Sequence, residues 1–149
     1  VEGVVLVDSN VLLDIIKPDP QWLPWSRSTL ADALVNRGVC VNPLIYAELS
    51  IMYQTSAQLD QMLDKLGIGR AELPWEAAHM AGQAFVQYRR RGGGKTSPLT
   101  DFYIGAHAQT AGFELLTRDV NRYRTYFPGV SLITPDTHPL FLSGRDGVQ

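Results

Sequence analysis

The apolar run Val4-Val5-Leu6-Val7, ending on Asp8, constrains the fold more than any other feature of this chain. A short run with no polar alternation is the pattern of a strand covered on both faces. Val39 to Val41, Phe113 to Leu116 and Val130 to Ile133 read as further short strands. Helix-length segments with helix punctuation separate these runs. Ser9 or Asn10 is positioned to cap a helix from Val11 to Ile16, which Pro18 and Pro20 stop. A helix from about Pro24 to Asn36 carries Leu30, Ala33 and Leu34 on one face and precedes Gly38. Asn42 caps the next, with Pro43 in its first turn and an end near Tyr53. Another runs from Ser56 or Ala57 to Leu66, closed by Gly67, and a long one from Glu76 to Arg91, closed by Gly92-Gly93-Gly94. Ser97 and Pro98 stand where a cap and first residue belong, before a helix from Leu99 to Ala111 that Gly112 ends. Strands alternating with helices predict an α/β fold, a three-layer α/β/α sandwich around a short, mostly parallel sheet.

The 149 residues suffice for one domain with a real core, expected over 1–142; the polar, glycine-containing stretch 143–149 reads as a flexible tail. No apolar run approaches the roughly 20 residues that span a bilayer, so no membrane is expected. Val1 to Asp8 has no cationic stretch followed by a long apolar one, so no signal peptide is expected. The single cysteine, Cys40, rules out a disulfide within the chain and fits a reducing cytoplasm. Within Gly38-Val39-Cys40-Val41 it reads as a small buried apolar residue rather than a reactive thiol. The net charge of −2 gives no global sign of nucleic-acid binding. Any such binding must come from a local basic patch and bound cations.

Ligands of parallel sheets collect outside the carboxyl ends of the strands. Asp8 and Asp119 both fall just past a strand's end. Glu48 lies in the helix after the second strand, and Asp101 in the first turn of the helix after the glycine loop. Each has an ordinary reading on its own: Asp8 as a helix cap, Asp101 as an acid at the positive end of a helix dipole, Asp119 as a turn residue. Glu48, inside the apolar stretch Leu44-Ile45-Tyr46-Ala47-Glu48-Leu49, is harder to explain as structure. Gathered on one rim, the four would repel one another by about 1 to 4 kcal/mol per close pair. A divalent cation converts that repulsion into coordination. Oxygen ligands alone, with no Cys or His cluster beside them, favour Mg²⁺ or Mn²⁺ over Zn²⁺. Phosphodiester hydrolysis is the chemistry that suits such a site.

The run Val7-Asp8-Ser9-Asn10-Val11-Leu12-Leu13-Asp14 resembles the opening motif of PIN domains. Pro43-Leu44-Ile45-Tyr46-Ala47-Glu48-Leu49 is similar to the family's second acidic motif, and Leu99-Thr100-Asp101-Phe102-Tyr103-Ile104-Gly105-Ala106-His107-Ala108 to its third. Leu115-Leu116-Thr117-Arg118-Asp119, followed by Tyr126-Phe127-Pro128-Gly129-Val130, resembles the fourth motif and the strand beyond it. The ordered set covers about Val4 to Pro135. One position departs: many members carry a further acid two residues after the fourth-motif aspartate, where this chain has Asn121. That puts a fifth carboxylate, and tight binding of a second metal, in doubt.

The resemblance implies a PIN fold and a Mg²⁺- or Mn²⁺-dependent endoribonuclease, most like the VapC toxin of VapBC-type toxin–antitoxin pairs. It implies Asp8 and Asp101 as direct metal ligands, with Glu48 and Asp119 completing the site by binding metal or orienting water. Asn10 and Thr117 are either donors that fix carboxylate rotamers or local caps. Asp14 reads as structural. A cognate antitoxin and a homodimer are the implied partners beside the RNA substrate. The competing readings are a non-catalytic PIN-like module that binds RNA or protein, and a haloacid-dehalogenase-like phosphatase. The latter needs a second aspartate where Asn10 stands and leaves Glu48 unexplained.

Arg89-Arg90-Arg91-Gly92-Gly93-Gly94-Lys95 is the one concentrated positive segment. It reads either as an arm that grips RNA phosphates beside the acids or as cations satisfying a helix C-terminus. Its spacing is not that of a phosphate-binding P-loop. His79, His107 and His138 have no metal-ligand spacing. Trp22, Trp25, Met52 and Tyr53 read as core, with a partner surface as the alternative.

Overall fold

The computed structural model describes residues 3–94 and 99–140. Lys95, Ser97, Pro98 and the expected tail lie outside the described residues. Within them the order is β1 (Val4–Val7), α1 (Ser9–Ile16), α2 (Leu23–Asn36), β2 (Gly38–Val41), α3 (Pro43–Ser50), α4 (Ser56–Leu66) and β3 (Gly69–Arg70). Then come α5 (Trp75–Arg90), α6 (Leu99–Ala111), β4 (Glu114–Leu116), α7 (Asn121–Tyr126) and β5 (Leu132–Ile133).

The five strands form one sheet in the order β3-β2-β1-β4-β5. Every pairing is parallel, so "mostly parallel" becomes wholly parallel among the described residues. The chain steps from β1 outwards through β2 to β3, returns to the far side of β1 at β4, and steps outwards again to β5. Right-handed crossovers taken in opposite directions put the two sets of helices on opposite faces of the sheet. The packing agrees: α1 lies against α2 and α3 and α3 against α4, while α6 lies against α5 and α7. The result is the expected three-layer α/β/α sandwich.

Coverage on both faces explains why β1 is apolar without alternation. Val5, Leu6 and Val7 of β1 are fully buried, as are Leu115 and Leu116 of β4. Helix faces close over them through Val11, Leu12, Ile45, Leu49, Leu59 and Leu63 on one side and Phe102, Ile104 and Ala108 of α6 on the other. Gly105 of α6 is an obligate small residue. A Cβ there would stand 2.5 Å from the ring of Phe127.

Several expectations are corrected. The cap of α1 is Asp8 itself, not Ser9 or Asn10: its backbone is extended (φ −70°, ψ 151°) and its carboxylate accepts the Ser9 amide, so the helix begins at Ser9. The third helix ends at Ser50 rather than near Tyr53. The amides of Met52 and Tyr53 reach back only three residues, to Leu49 and Ser50, and close a turn instead of continuing the helix. Asn42 does cap α3, accepting the Ile45 amide at 2.9 Å, and Gly67 ends α4 in the left-handed region at φ 79°. β3 and α7 have no counterpart among the elements expected from the sequence.

Candidate functional site

β1 and β4 lie side by side, yet the chain leaves them in opposite directions across the sheet. The crevice at such a reversal is where parallel sheets bind ligands. Val7 pairs with Leu116, so the residues that follow, Asp8 and Thr117, leave the sheet level with one another. The Asp8 amide extends the pairing by donating to the Leu116 carbonyl at 2.9 Å.

Asp8 is buried, at 4% exposure, and its carboxylate is held on all sides. Oδ1 accepts the Ser9 amide at 2.9 Å. Oδ2 accepts the Thr117 hydroxyl at 2.9 Å, the Tyr123 hydroxyl at 3.1 Å and, more weakly, the Asn10 amide at 3.5 Å. Thr117 Oγ1 in turn accepts the Asp119 amide at 3.0 Å and the Asn10 side chain at 3.3 Å, while Asn10 Oδ1 accepts the Arg118 amide at 3.2 Å. This net fixes the carboxylate's rotamer and ties the start of α1 to the loop after β4. No basic side chain pairs with Asp8 among the described residues. Burial pushes its carboxyl up to about 6, the Thr117 hydroxyl pulls it back, and the fields of Asp101 and Glu48 raise it further.

The other three acids stand around it. Asp101 comes from the first turn of α6 and is paired with Arg122, whose Nη1 donates to Oδ2 at 2.5 Å. Burial raises the Asp101 carboxyl, Arg122 opposes that, and the neighbouring Asp119 adds to it. Glu48 of α3 accepts the Ser9 hydroxyl at 2.8 Å, which tethers α3 to the head of α1. Asp119 is exposed at the mouth. The Tyr123 hydroxyl, fully buried, feels the charges of Asp8, Asp101 and Asp119, and with burial they drive it well above the usual phenol range.

The donor set is oxygen only, and its innermost carboxylate is buried without a cation. That chemistry fits a hard divalent ion such as Mg²⁺ or Mn²⁺. Among the described residues, no three His, Cys, Asp or Glu side chains stand close enough together to hold one ion as they are. Arg122 on Asp101 and Ser9 on Glu48 occupy the bonds that such an ion would replace.

The basic segment behaves less uniformly than its sequence suggests. Arg89 lies over the Phe85 ring at 5.8 Å, along its own helix. Arg91 lies over Tyr126 at 5.3 Å, on the helix that also carries Tyr123, and so borders the site. Arg90 is exposed. Asp14 has the structural partners its reading implied: it is buried, accepts Ser26 Oγ at 2.6 Å, and makes a two-point pair with Arg118 at 2.7 and 2.9 Å. Arg118 also covers the Trp22 ring at 5.1 Å. His107 is buried against Asn42 at 3.1 Å, and burial lowers its pKa. His79 is exposed, and His138 sits beside Thr137. Trp25 belongs to the core, donating to the His138 carbonyl at 2.7 Å, while Met52 is 39% exposed. Burial drives the Cys40 thiol up to about 11, as an inert apolar residue should show.

Arg122 and Tyr123 were missed by sequence reasoning. The signal was faint but present: Tyr123, Tyr126 and Phe127 follow helical spacing immediately after the fourth acid, although the intervening residues are polar and no cap precedes them.

The model of the PIN domain family matches residues 5–128. No curated protein matches the chain. Among solved structures, VapBC2 from Rickettsia felis, bound to a DNA fragment from its promoter, is similar at 16% identity with a TM-score of 0.67. That match covers 88% of this chain and 98% of the other. DNA-bound VapBC from Salmonella typhimurium is similar at 19% identity and TM-score 0.65, over 89% and 98%. FitAcB from Neisseria gonorrhoeae is similar at 22% identity and TM-score 0.59, over 88% and 97%. At such identities the likeness speaks for the fold. The family match, spanning both halves of the sheet and all four acids, carries the assignment: this chain belongs to the PIN domain family.

Proposed function

We propose that this PIN domain is a Mg²⁺- or Mn²⁺-dependent endoribonuclease that hydrolyses RNA phosphodiester bonds, and that it acts as the toxin of a toxin–antitoxin pair. One observation carries the nuclease reading. A buried carboxylate, Asp8, has four hydrogen-bond donors and no basic partner among the described residues, and lies within the electrostatic reach of Glu48 and Asp101. Such an arrangement is costly by itself and makes sense around a cation. When bound, that cation supplies a polarised phosphate and a water acidified towards neutrality. Asp8 and Asp101 would hold it, with Glu48 and Asp119 completing the set. Thr117, Tyr123 and Asn10 keep the Asp8 carboxylate in a single orientation, so its geometry is set before the ligand arrives.

Arg90 and Arg91 would supply phosphate contacts beside the acids. The family match argues against the phosphatase alternative, as does Asn10, whose amide is engaged in orienting Asp8 and Thr117. The toxin role and a cognate antitoxin are proposed from solved structures that share the fold, one of which is a toxin–antitoxin complex from Klebsiella pneumoniae, and a homodimer from the family resemblance alone. No helix among the described residues is long and apolar enough to cross a membrane.

The test is cleavage of a mixed RNA pool in Mg²⁺ or Mn²⁺, beside an EDTA control and Asp8→Asn. Cleavage confined to the wild type with metal supports the reading. Activity surviving EDTA or the substitution overturns it. Tight RNA or protein binding with no cleavage under any metal favours the binding-module alternative.

A further inference from the structure

Helix α7 delivers one donor to each of two acids from adjacent residues. Tyr123 bonds Asp8 and Arg122 bonds Asp101. The two differ in their freedom to leave. Tyr123 is wholly buried, its ring locked in the core. Arg122 keeps about a third of its side chain in solvent, with the Tyr88 ring 5.9 Å from its guanidinium as its other neighbour. A long, half-exposed side chain has rotamers open to it that a buried ring does not. Arg122 is also the only basic side chain that pairs with any of the four acids among the described residues.

We infer that Arg122 is a built-in counter-cation: it neutralises Asp101 when the centre holds no metal, and competes with the divalent ion for that carboxylate. This rests on the metal reading above and deepens it by naming what sets the affinity. Two effects act in the same direction. A metal ion must displace the guanidinium from Asp101 before that carboxylate can coordinate it. The positive charge, wherever its side chain settles nearby, also opposes the incoming cation. Removing it should therefore tighten metal binding, the reverse of what loss of a supporting residue usually does. The centre thereby avoids standing as an uncompensated acidic cluster.

The experiment is a Mn²⁺ titration of purified wild type, Arg122→Ala, Arg122→Lys and Asp8→Asn. Free Mn²⁺ is read by electron paramagnetic resonance, with urea unfolding as a check on folding. The expected result is Mn²⁺ binding at least tenfold tighter in Arg122→Ala, with Arg122→Lys restored towards wild type because its charge is kept. If Arg122→Ala does not fold, Arg122→Gln, which retains the stem, replaces it. Unchanged or weaker binding in the charge-removing variant overturns the competition while leaving the metal site standing. No uptake by any form, or uptake that survives Asp8→Asn, overturns the metal reading and this inference together.

Discussion

Asp8→Asn tests how the centre is built, because the wild-type residue is kept at a cost that the metal-free protein must carry alone. Burial and its acidic neighbours raise the Asp8 carboxyl from 3.8 to about 6. The sign follows from proton linkage. A folded-state value above the unfolded one means the native state holds the proton more tightly, so stability falls as pH rises from about 4 to about 6. About two pKa units correspond to about 3 kcal/mol by pH 7. The isosteric amide removes that charge. Its carbonyl can still accept from Thr117 and Tyr123, but its NH₂ then faces the Ser9 amide, and losing that cap costs about 1 kcal/mol. The net expectation in EDTA at pH 7 is a gain of about 2 kcal/mol for Asp8→Asn, or about 4 to 8 °C in melting temperature for a chain of this size. At pH 4 the native carboxyl is protonated and the unfolded one close to half so; most of the penalty is gone, and the variant should be the less stable by up to the value of the cap, about 1 kcal/mol. Urea unfolding of both proteins across pH 4 to 7.5 reads this directly. A variant no more stable than wild type at pH 7, or a difference that does not change with pH, would refute the account of a buried, uncompensated carboxylate.

Tyr123→Phe keeps the ring and removes one donor to Asp8. It should move the metal-free Asp8 carboxyl further above about 6, as followed by carboxyl-carbon NMR, with RNA cleavage reduced about tenfold or more by loss of a charge-assisted bond. Arg118→Ala strands the buried Asp14 with only Ser26. Since Arg118 is itself partly exposed, the loss should be about 2 to 3 kcal/mol in urea, below that of a fully buried pair. Gly105→Ala forces a methyl group into the Phe127 ring and should cost about 1 to 3 kcal/mol, with Phe127 displaced in a crystal structure of the variant. Replacing Arg90 and Arg91 together with alanine should lower the slope of log RNA affinity against log salt by about 1.4, read by fluorescence anisotropy.

Elements whose local chemistry is self-sufficient were legible in the sequence. Val4–Val7 announces a doubly covered strand because nothing polar interrupts it, and Asn42-Pro43 and Leu66-Gly67 mark helix ends through bonds made within a few residues. Gly69–Arg70 gave no such signal. Both residues are exposed, and they form a strand only because the edge of β2 offers them partners. Asn121–Tyr126 is six residues, largely polar and uncapped, and it is helical because Tyr123 is drawn into the core. The same division runs through the site. The four acids lie within recognisable motifs, but the residues that hold them act over long separations: Thr117 and Tyr123 reach back more than a hundred positions to Asp8, and Arg122 reaches across to another helix. Within the basic run, closeness in sequence does not set the partners: Arg89 lies over Phe85 and Arg91 over Tyr126, contacts that only the fold defines.

Because β1 pairs on one side with β2 and on the other with β4, the sheet is stitched from opposite ends of the chain. Asp8 and Glu48 are therefore synthesised before Asp101, Asp119 and Tyr123. A growing chain can pair β1 with β2 and pack α1 to α4 on one face, but it has no acidic centre until β4 slides in beside β1. In a PIN domain wired this way the four acids come together only after the second half of the domain has been made. That docking step completes the proposed metal centre.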